Sequence, residues 1–123
     1  MQHHISNRFL SAIINEKGAE LCSIKNSRGK EFIWQAHPDF WNRHAPVLFP
    51  FVGRLKEDTY LYEGQLFNCG QHGFARDCTF NMVASDIHTC TFELVSDEST
   101  YKKFPFHFSL QTRSEEHTSE LQS

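Results

Sequence analysis

Residues 45–77 read APVLFPFVGRLKEDTYLYEGQLFNCGQHGFARD, and their local chemistry decides which folds are open to this chain. The run Pro46-Val47-Leu48-Phe49-Pro50-Phe51 excludes a helix, because Pro50 lacks an N–H and pushes Phe49 toward extended backbone. It reads as an extended, pinned segment. Gly53 lets the chain turn, and Arg54 follows where the apolar segment gives way to a polar one. Further on, Gly70 and Gly73 bracket His72 and permit backbone geometries that residues with a Cβ avoid. An imidazole and a guanidinium on such restricted backbone have the makings of a polar-ligand site.

Around this stretch the pattern is that of short strands. Phe9–Ile14 and Glu20–Lys25 alternate or run β-branched, with a turn at 15–18 whose Gly18 supplies positive φ. Residues 26–29 form a second turn, and Glu31-Phe32-Ile33-Trp34 reads as a third short strand. Pro38-Asp39-Phe40-Trp41 predicts one helical turn with its aromatics packed onto the sheet. Thr59–Tyr62 and Gln65–Phe67 form a hairpin about Glu63-Gly64. Thr79–Ala84 and Thr89–Val95 read as paired strands, with Phe92 and Leu94 on one face. After the polar connection 97–100, Phe106–Gln111 alternates with period two. Short strands with Gly/Pro turns, and no long amphipathic helix, predict an all-β sandwich.

Bulk composition narrows the function. At 123 residues the chain holds one domain with a real core and not two large ones. Hydrophobic residues at 39%, twelve of the residues being Phe, predict a folded, aromatic-rich protein. A formal charge of −3 offers no basic footprint, which argues against nucleic acid or an anionic membrane as partner. No apolar run approaches the ~20 residues of a membrane span, and residues 1–7 lack a signal-peptide pattern. Cys22, Cys69, Cys78 and Cys90 show no C-x-x-C spacing, so reduced thiols in a cytoplasmic protein are expected.

The pair Phe49-Pro50-Phe51-Val52-Gly53-Arg54-Leu55 and Gln71-His72-Gly73-Phe74-Ala75-Arg76-Asp77 resembles the aldose 1-epimerase (galactose mutarotase) family, and most of all its bacterial, lactose-operon-associated members. The resemblance extends from about Phe9 to Leu110. It implies that the chain is the N-terminal part of a large antiparallel β-sandwich of the galactose mutarotase type. It also implies a small-molecule aldose as partner, anomer interconversion as activity, no metal or organic cofactor, and no obligate protein partner. By the same resemblance His72 matches the family's first active-site histidine, beside the sugar ring oxygen, and Arg54 matches its substrate-contacting arginine.

Ring opening of an aldopyranose suits these residue types. A base takes the proton of the anomeric hydroxyl while an acid protonates the ring oxygen, and groups titrating near the working pH do this best. Arginine holds hydroxyls, or a phosphate where the sugar carries one. Plainer readings stand beside each assignment. His72 alone is as well explained as a histidine tying down its own turn, and Arg54 as a surface partner of Glu57 or Asp58. Arg76 either reaches the sugar or pairs with Asp77. The remaining histidines lack metal-ligand spacing; His88 and His107 are placed on strands.

The family's second histidine and its glutamate base have no match in either motif, and Glu93 and His107 stand in no equivalent position. This polypeptide is therefore expected to be inactive by itself, with a non-catalytic carbohydrate-binding sandwich as the competing reading. Residues 113–123, RSEEHTSELQS, resemble the in-frame translation of a short-read sequencing adapter. A domain over residues 1–112 followed by a foreign tail is the expectation; without the tail's one Arg and three Glu the net charge moves only from −3 to −1. With nothing covering the last strand, exposed edges predict a marginally stable unit.

Overall fold

The computed structural model describes residues 1–115, and its regular structure is almost all antiparallel β. Strands β1 (Gln2–Ser6), β2 (Leu10–Asn15) and β3 (Leu21–Asn26) form one three-stranded sheet in that order. Strands β4 (Thr59–Tyr62) and β5 (Gln65–Asn68) form a ribbon. Strands β6 (Asn81–Ser85), β7 (Thr89–Val95) and β8 (Ser109–Glu115) form a second three-stranded sheet. One helical turn, α1 (Glu98–Tyr101), links β7 to β8.

The core lies between the two larger sheets. Alternation on β2 turns Ala12 and Ile14 inward, and β1 adds Ile5. From the opposite side β7 contributes Cys90, Phe92 and Leu94, with Phe80 just before β6 and the Phe74-Ala75 pair closing one end. Phe80, Phe92 and Ile14 are each about 1% exposed, so each stabilises the fold by about 1.5–3 kcal/mol of transfer free energy. The sheets are also stitched by backbone: the Ser6 N–H donates to the Ile87 carbonyl, the Phe80 N–H to Glu16, and the Gly18 N–H to Cys78.

The β2–β3, β4–β5 and β6–β7 pairs match the sequence reading, as do Phe92 and Leu94 on one buried face. The β4–β5 turn works because Glu63 and Gly64 both take positive φ, 49° and 78°, the primed geometry that matches strand twist.

Five readings need correction. Residues 31–34 form no strand beyond one bridge from Glu31 to Lys25. The Phe32 N–H still donates to the Ile24 carbonyl at 2.8 Å, but the Glu31 carboxylate accepts from Ser23 Oγ, shares the Phe32 N–H and takes the Ile24 and Ile33 N–H groups that a continued ladder would have used. The turn at 38–40 exists, held by Phe40 and Trp41 N–H on the His37 carbonyl, but its aromatics do not pack on the sheet: Phe40 is 79% exposed. Residues 97–100 are more than a connection. Asp97 caps α1 in a reciprocal box with Thr100, whose N–H donates to Asp97 Oδ1 while its hydroxyl accepts from the Asp97 N–H. His88 and His107 lie outside strands, His88 in the β6–β7 turn with Nδ1 2.6 Å from the Ser6 carbonyl oxygen. Finally, β8 starts at Ser109 and continues through Arg113, Ser114 and Glu115, paired with Thr91, Cys90 and Thr89, although those three residues carry no strand signal. The rest of the stretch read as foreign, residues 116–123, lies outside the described residues.

Candidate active site

The two motifs singled out in the sequence come together. The Phe49 carbonyl accepts from both the Phe74 and Ala75 N–H groups, at 2.9 and 3.2 Å, and Phe49 bridges Gly73 in parallel. Gly73 is required here. Its φ is +75°, and a Cβ would lie 2.1 Å from the Phe49 carbonyl oxygen, so no side chain fits. Behind this junction the rings of Phe49, Phe74, Phe104 and Phe108 pack with centroids 5.0–6.5 Å apart. Such edge-on and tilted pairs add about 0.5–1.5 kcal/mol each beyond area burial. The Phe49-Pro50 peptide is cis.

His72 sits on this junction with φ 62°, a left-handed conformation that a residue with a Cβ adopts at some cost. Two bonds to Gly53 hold it. The His72 N–H donates to the Gly53 carbonyl at 2.7 Å, and the Gly53 N–H donates to His72 Nδ1 at 2.8 Å. Because Nδ1 accepts, the neutral ring carries its proton on Nε2. The half-buried ring thus does what the plainer reading describes, tying its turn down, here to Gly53.

Arg54 follows Gly53 directly. Its guanidinium pairs with Asp58, Nε to Oδ1 at 2.9 Å and Nη2 to Oδ2 at 3.2 Å, and is 65% exposed. Hydrogen bonding to Asp58 and that carboxylate's charge push the Arg54 pKa further up. Asp58, rather than Glu57, is the partner. An exposed pair of this kind holds little energy.

Arg76 does not pair with Asp77. Its Nη2 donates to the Gln71 carbonyl at 3.1 Å, while Asp77 is taken by Arg43 at 3.0 Å. Arg76 Nε is buried without a hydrogen-bond partner. These side chains line a polar cleft of about 240 Å³ with Asn15, Lys17 and Glu20. Gly18 lets β2's turn approach it: a Cβ there would lie 2.7 Å from the Arg76 carbonyl oxygen. The sequence reading missed Arg43, which stands 34 residues from Asp77 in a loop and shows no local pattern, and Gly53 as the residue that fixes the imidazole. The second was legible in part, since Gly53 belongs to the motif already quoted.

Among the described residues no group of three or more His, Cys, Asp or Glu is placed to hold a metal ion, and no helix is long and apolar enough to cross a membrane. The four cysteines are unpaired. Burial pushes their thiols up, Glu20 and Glu31 adding to the effect at Cys22.

A β-sandwich unit carrying these two motifs defines the class of protein. The family model described as aldose 1-epimerase matches residues 1–115, and the chain belongs to that family, among its lactose-operon-associated members. It is 32% identical over 116 residues to the plasmid-borne LacX protein of Lactococcus lactis subsp. lactis, an alignment covering 90% of this chain and 39% of the relative. The solved galactose mutarotase related enzyme from Lactobacillus acidophilus overlays with a TM-score of 0.94 at 42% identity, covering 95% of this chain and 39% of that one. A galactose mutarotase-like protein from Lactobacillus casei overlays at 0.89 with 38% identity, covering 92% and 39%. The chain therefore spans about two-fifths of the length of the relatives it matches.

Proposed function

We propose that the protein, at the length of its relatives, interconverts the anomers of an aldose by acid/base ring opening. A base removes the anomeric hydroxyl proton, the C1–ring-oxygen bond breaks, and the ring oxygen receives a proton. Rotation about C1–C2 and the reverse transfers close the other anomer. His72 would place its Nε2–H against the ring oxygen, where negative charge develops. Arg54 would orient the ring through its hydroxyls. The observation that carries this reading is the reciprocal His72–Gly53 pair, which fixes the donor edge of the imidazole one residue from Arg54.

A phosphorylated sugar fits the same site if Arg76, with Arg43 and Lys17 in the adjoining cleft, takes the phosphate. Four unpaired cysteines fit a reducing, cytoplasmic setting. The 123 residues alone lack a match for both the family's second histidine and its glutamate base and are proposed to be inactive. The reading of 113–123 as foreign rests on its sequence, and re-reading the gene past the Thr112 codon tests it.

A sugar-binding role without catalysis is favoured by one observation. Trp34, Phe40 and Trp41 form an exposed aromatic group, with Trp34 and Phe40 centroids 6.2 Å apart and the Trp34 indole N–H on the Trp41 carbonyl. Polarimetry on freshly dissolved α-anomers separates the two readings. The full-length protein is expected to speed the approach to the equilibrium rotation and the 123-residue chain to leave it unchanged. Saturable sugar binding by the full-length protein with no rate enhancement would establish the second reading.

A further inference from the structure

Asp58 stands in a backbone conformation that residues with a side chain seldom take. It and Glu57 both have φ 57°, in a turn closed by the Thr59 N–H on the Lys56 carbonyl. The left-handed region disfavours any residue with a Cβ, Asp and Asn less than most. Further hydrogen bonds hold Asp58 there. Its N–H donates to the Leu55 carbonyl at 3.0 Å, and its carbonyl accepts at 2.8 Å from the N–H of Cys69, a core residue 2% exposed. The turn is thereby tied to the core, and the Asp58 carboxylate projects from a fixed point.

That carboxylate meets Arg54 in a fork, Nε to Oδ1 at 2.9 Å and Nη2 to Oδ2 at 3.2 Å. Two-point contact fixes the plane of a guanidinium as well as its position. With its side chains 65% and 38% exposed, the pair holds too little energy to explain the turn as a stabilising device. Backbone kept in a sparsely populated region without such a role points to function. We propose that Asp58 is a positioning residue for sugar binding, which holds the Arg54 guanidinium in the orientation that the ring hydroxyls meet. Asp58 occupies the Nε and Nη2 side of the fork, and the Nη1 side takes the sugar. Ordering a long side chain in advance removes an entropy cost that binding would otherwise carry. The inference rests on the proposed role of Arg54 in holding the sugar, and adds a residue to which that reading gives no part.

The test compares full-length variants by polarimetry, calorimetric sugar titration and thermal melting, with α-D-galactose and α-D-glucose as probes. Asp58→Gly removes the carboxylate and suits the left-handed turn, so its melting temperature should hold or rise. Its KM and calorimetric Kd should rise by about 3- to 10-fold, with kcat within about twofold of wild type. Glu57→Gly relaxes the same turn but leaves the partner of Arg54 in place, so its KM should stay within about twofold of wild type. In an Arg54→Ala background, Asp58→Gly should raise KM no further, because no guanidinium remains to be positioned. Unchanged KM and Kd in Asp58→Gly, or an equal rise in the Arg54→Ala background, overturns the proposal while wild-type turnover keeps the epimerase reading. A fall in the melting temperature of Asp58→Gly makes Asp58 a folding residue and overturns the proposal too. Wild-type binding without turnover ends the epimerase reading alone, since the Kd comparison still decides the role of Asp58. A wild-type protein that neither binds nor turns over either probe overturns both.

Discussion

His72 and Gly53 hold each other through two hydrogen bonds, amide to carbonyl at 2.7 Å and amide to Nδ1 at 2.8 Å. The second bond makes a side chain complete a backbone pairing between segments 19 residues apart. It ties the orientation of the imidazole to the geometry of the loop carrying Arg54. Substitutions at this junction should therefore change stability and the orientation of the imidazole together.

Gly73→Ala should be among the most damaging single changes. The new Cβ meets the Phe49 carbonyl at 2.1 Å and the backbone holds φ +75°, so the two motifs must move apart. A loss of about 3 kcal/mol or more in urea unfolding is expected. Gly29→Ala, with φ +82° but nothing within 4 Å, should cost only about 1 kcal/mol. Equal losses at the two positions would remove the close approach as the cause.

Acid should loosen the 23–35 region before the core. Desolvation raises the Glu31 pKa, but bonds from Ser23 Oγ and the Ile24, Ile33 and Phe32 N–H groups outweigh it, leaving the value below the ordinary 4.5. A lowered folded-state value means that this stabilisation is present above the unfolded pKa and lost as pH falls through the folded one. Glu31→Gln should cost about 1–2 kcal/mol at pH 7 and flatten the pH dependence below pH 4.5. An unchanged acid limb in the variant would show that other carboxylates produce it.

Asp97→Ala removes the cap of α1 and leaves the N–H of Thr100, a residue only 3% exposed, without its acceptor, while the Thr100 hydroxyl keeps its bonds to the residue 97 backbone. The expected loss is about 1 kcal/mol, read from the thermal midpoint. Asp97→Asn should recover most of it, and failure of that rescue would point to charge rather than capping.

Arg54→Ala should act on binding. Exposed and paired only with Asp58, the guanidinium contributes little to folding, so the full-length variant should keep its melting temperature. Its KM should rise at least as much as kcat falls. A lowered kcat at unchanged KM would assign Arg54 to the chemical step instead.

Much of this was legible in the sequence because it is local. The Glu63-Gly64 hairpin, the alternation of β7 and the glycine-flanked histidine are each specified within a few residues. Strand β1 was not, since Gln2, His3 and His4 are polar and only Ile5 reaches the core; its strand state comes from pairing with β2. Residues 31–34 have strand-forming side chains, yet the Glu31 carboxylate takes the Ile33 N–H and shares that of Phe32 with the Ile24 carbonyl. At the candidate site the motifs gave the positions of His72, Arg54 and Arg76. Asp58 was one of the two partners read for Arg54, whereas Gly53 and the Gln71 carbonyl depend on how loops meet, and Arg43 with Asp77 is set by tertiary structure alone.

The central claim is that His72 donates from Nε2 to the ring oxygen of an aldose, and polarimetry of mutarotation by the full-length protein tests it most directly. With folding verified by circular dichroism, His72→Ala should lower kcat by about 10²–10⁴-fold. A folded His72→Ala protein turning over at the wild-type rate would contradict the account and leave His72 as the histidine that ties one loop to another.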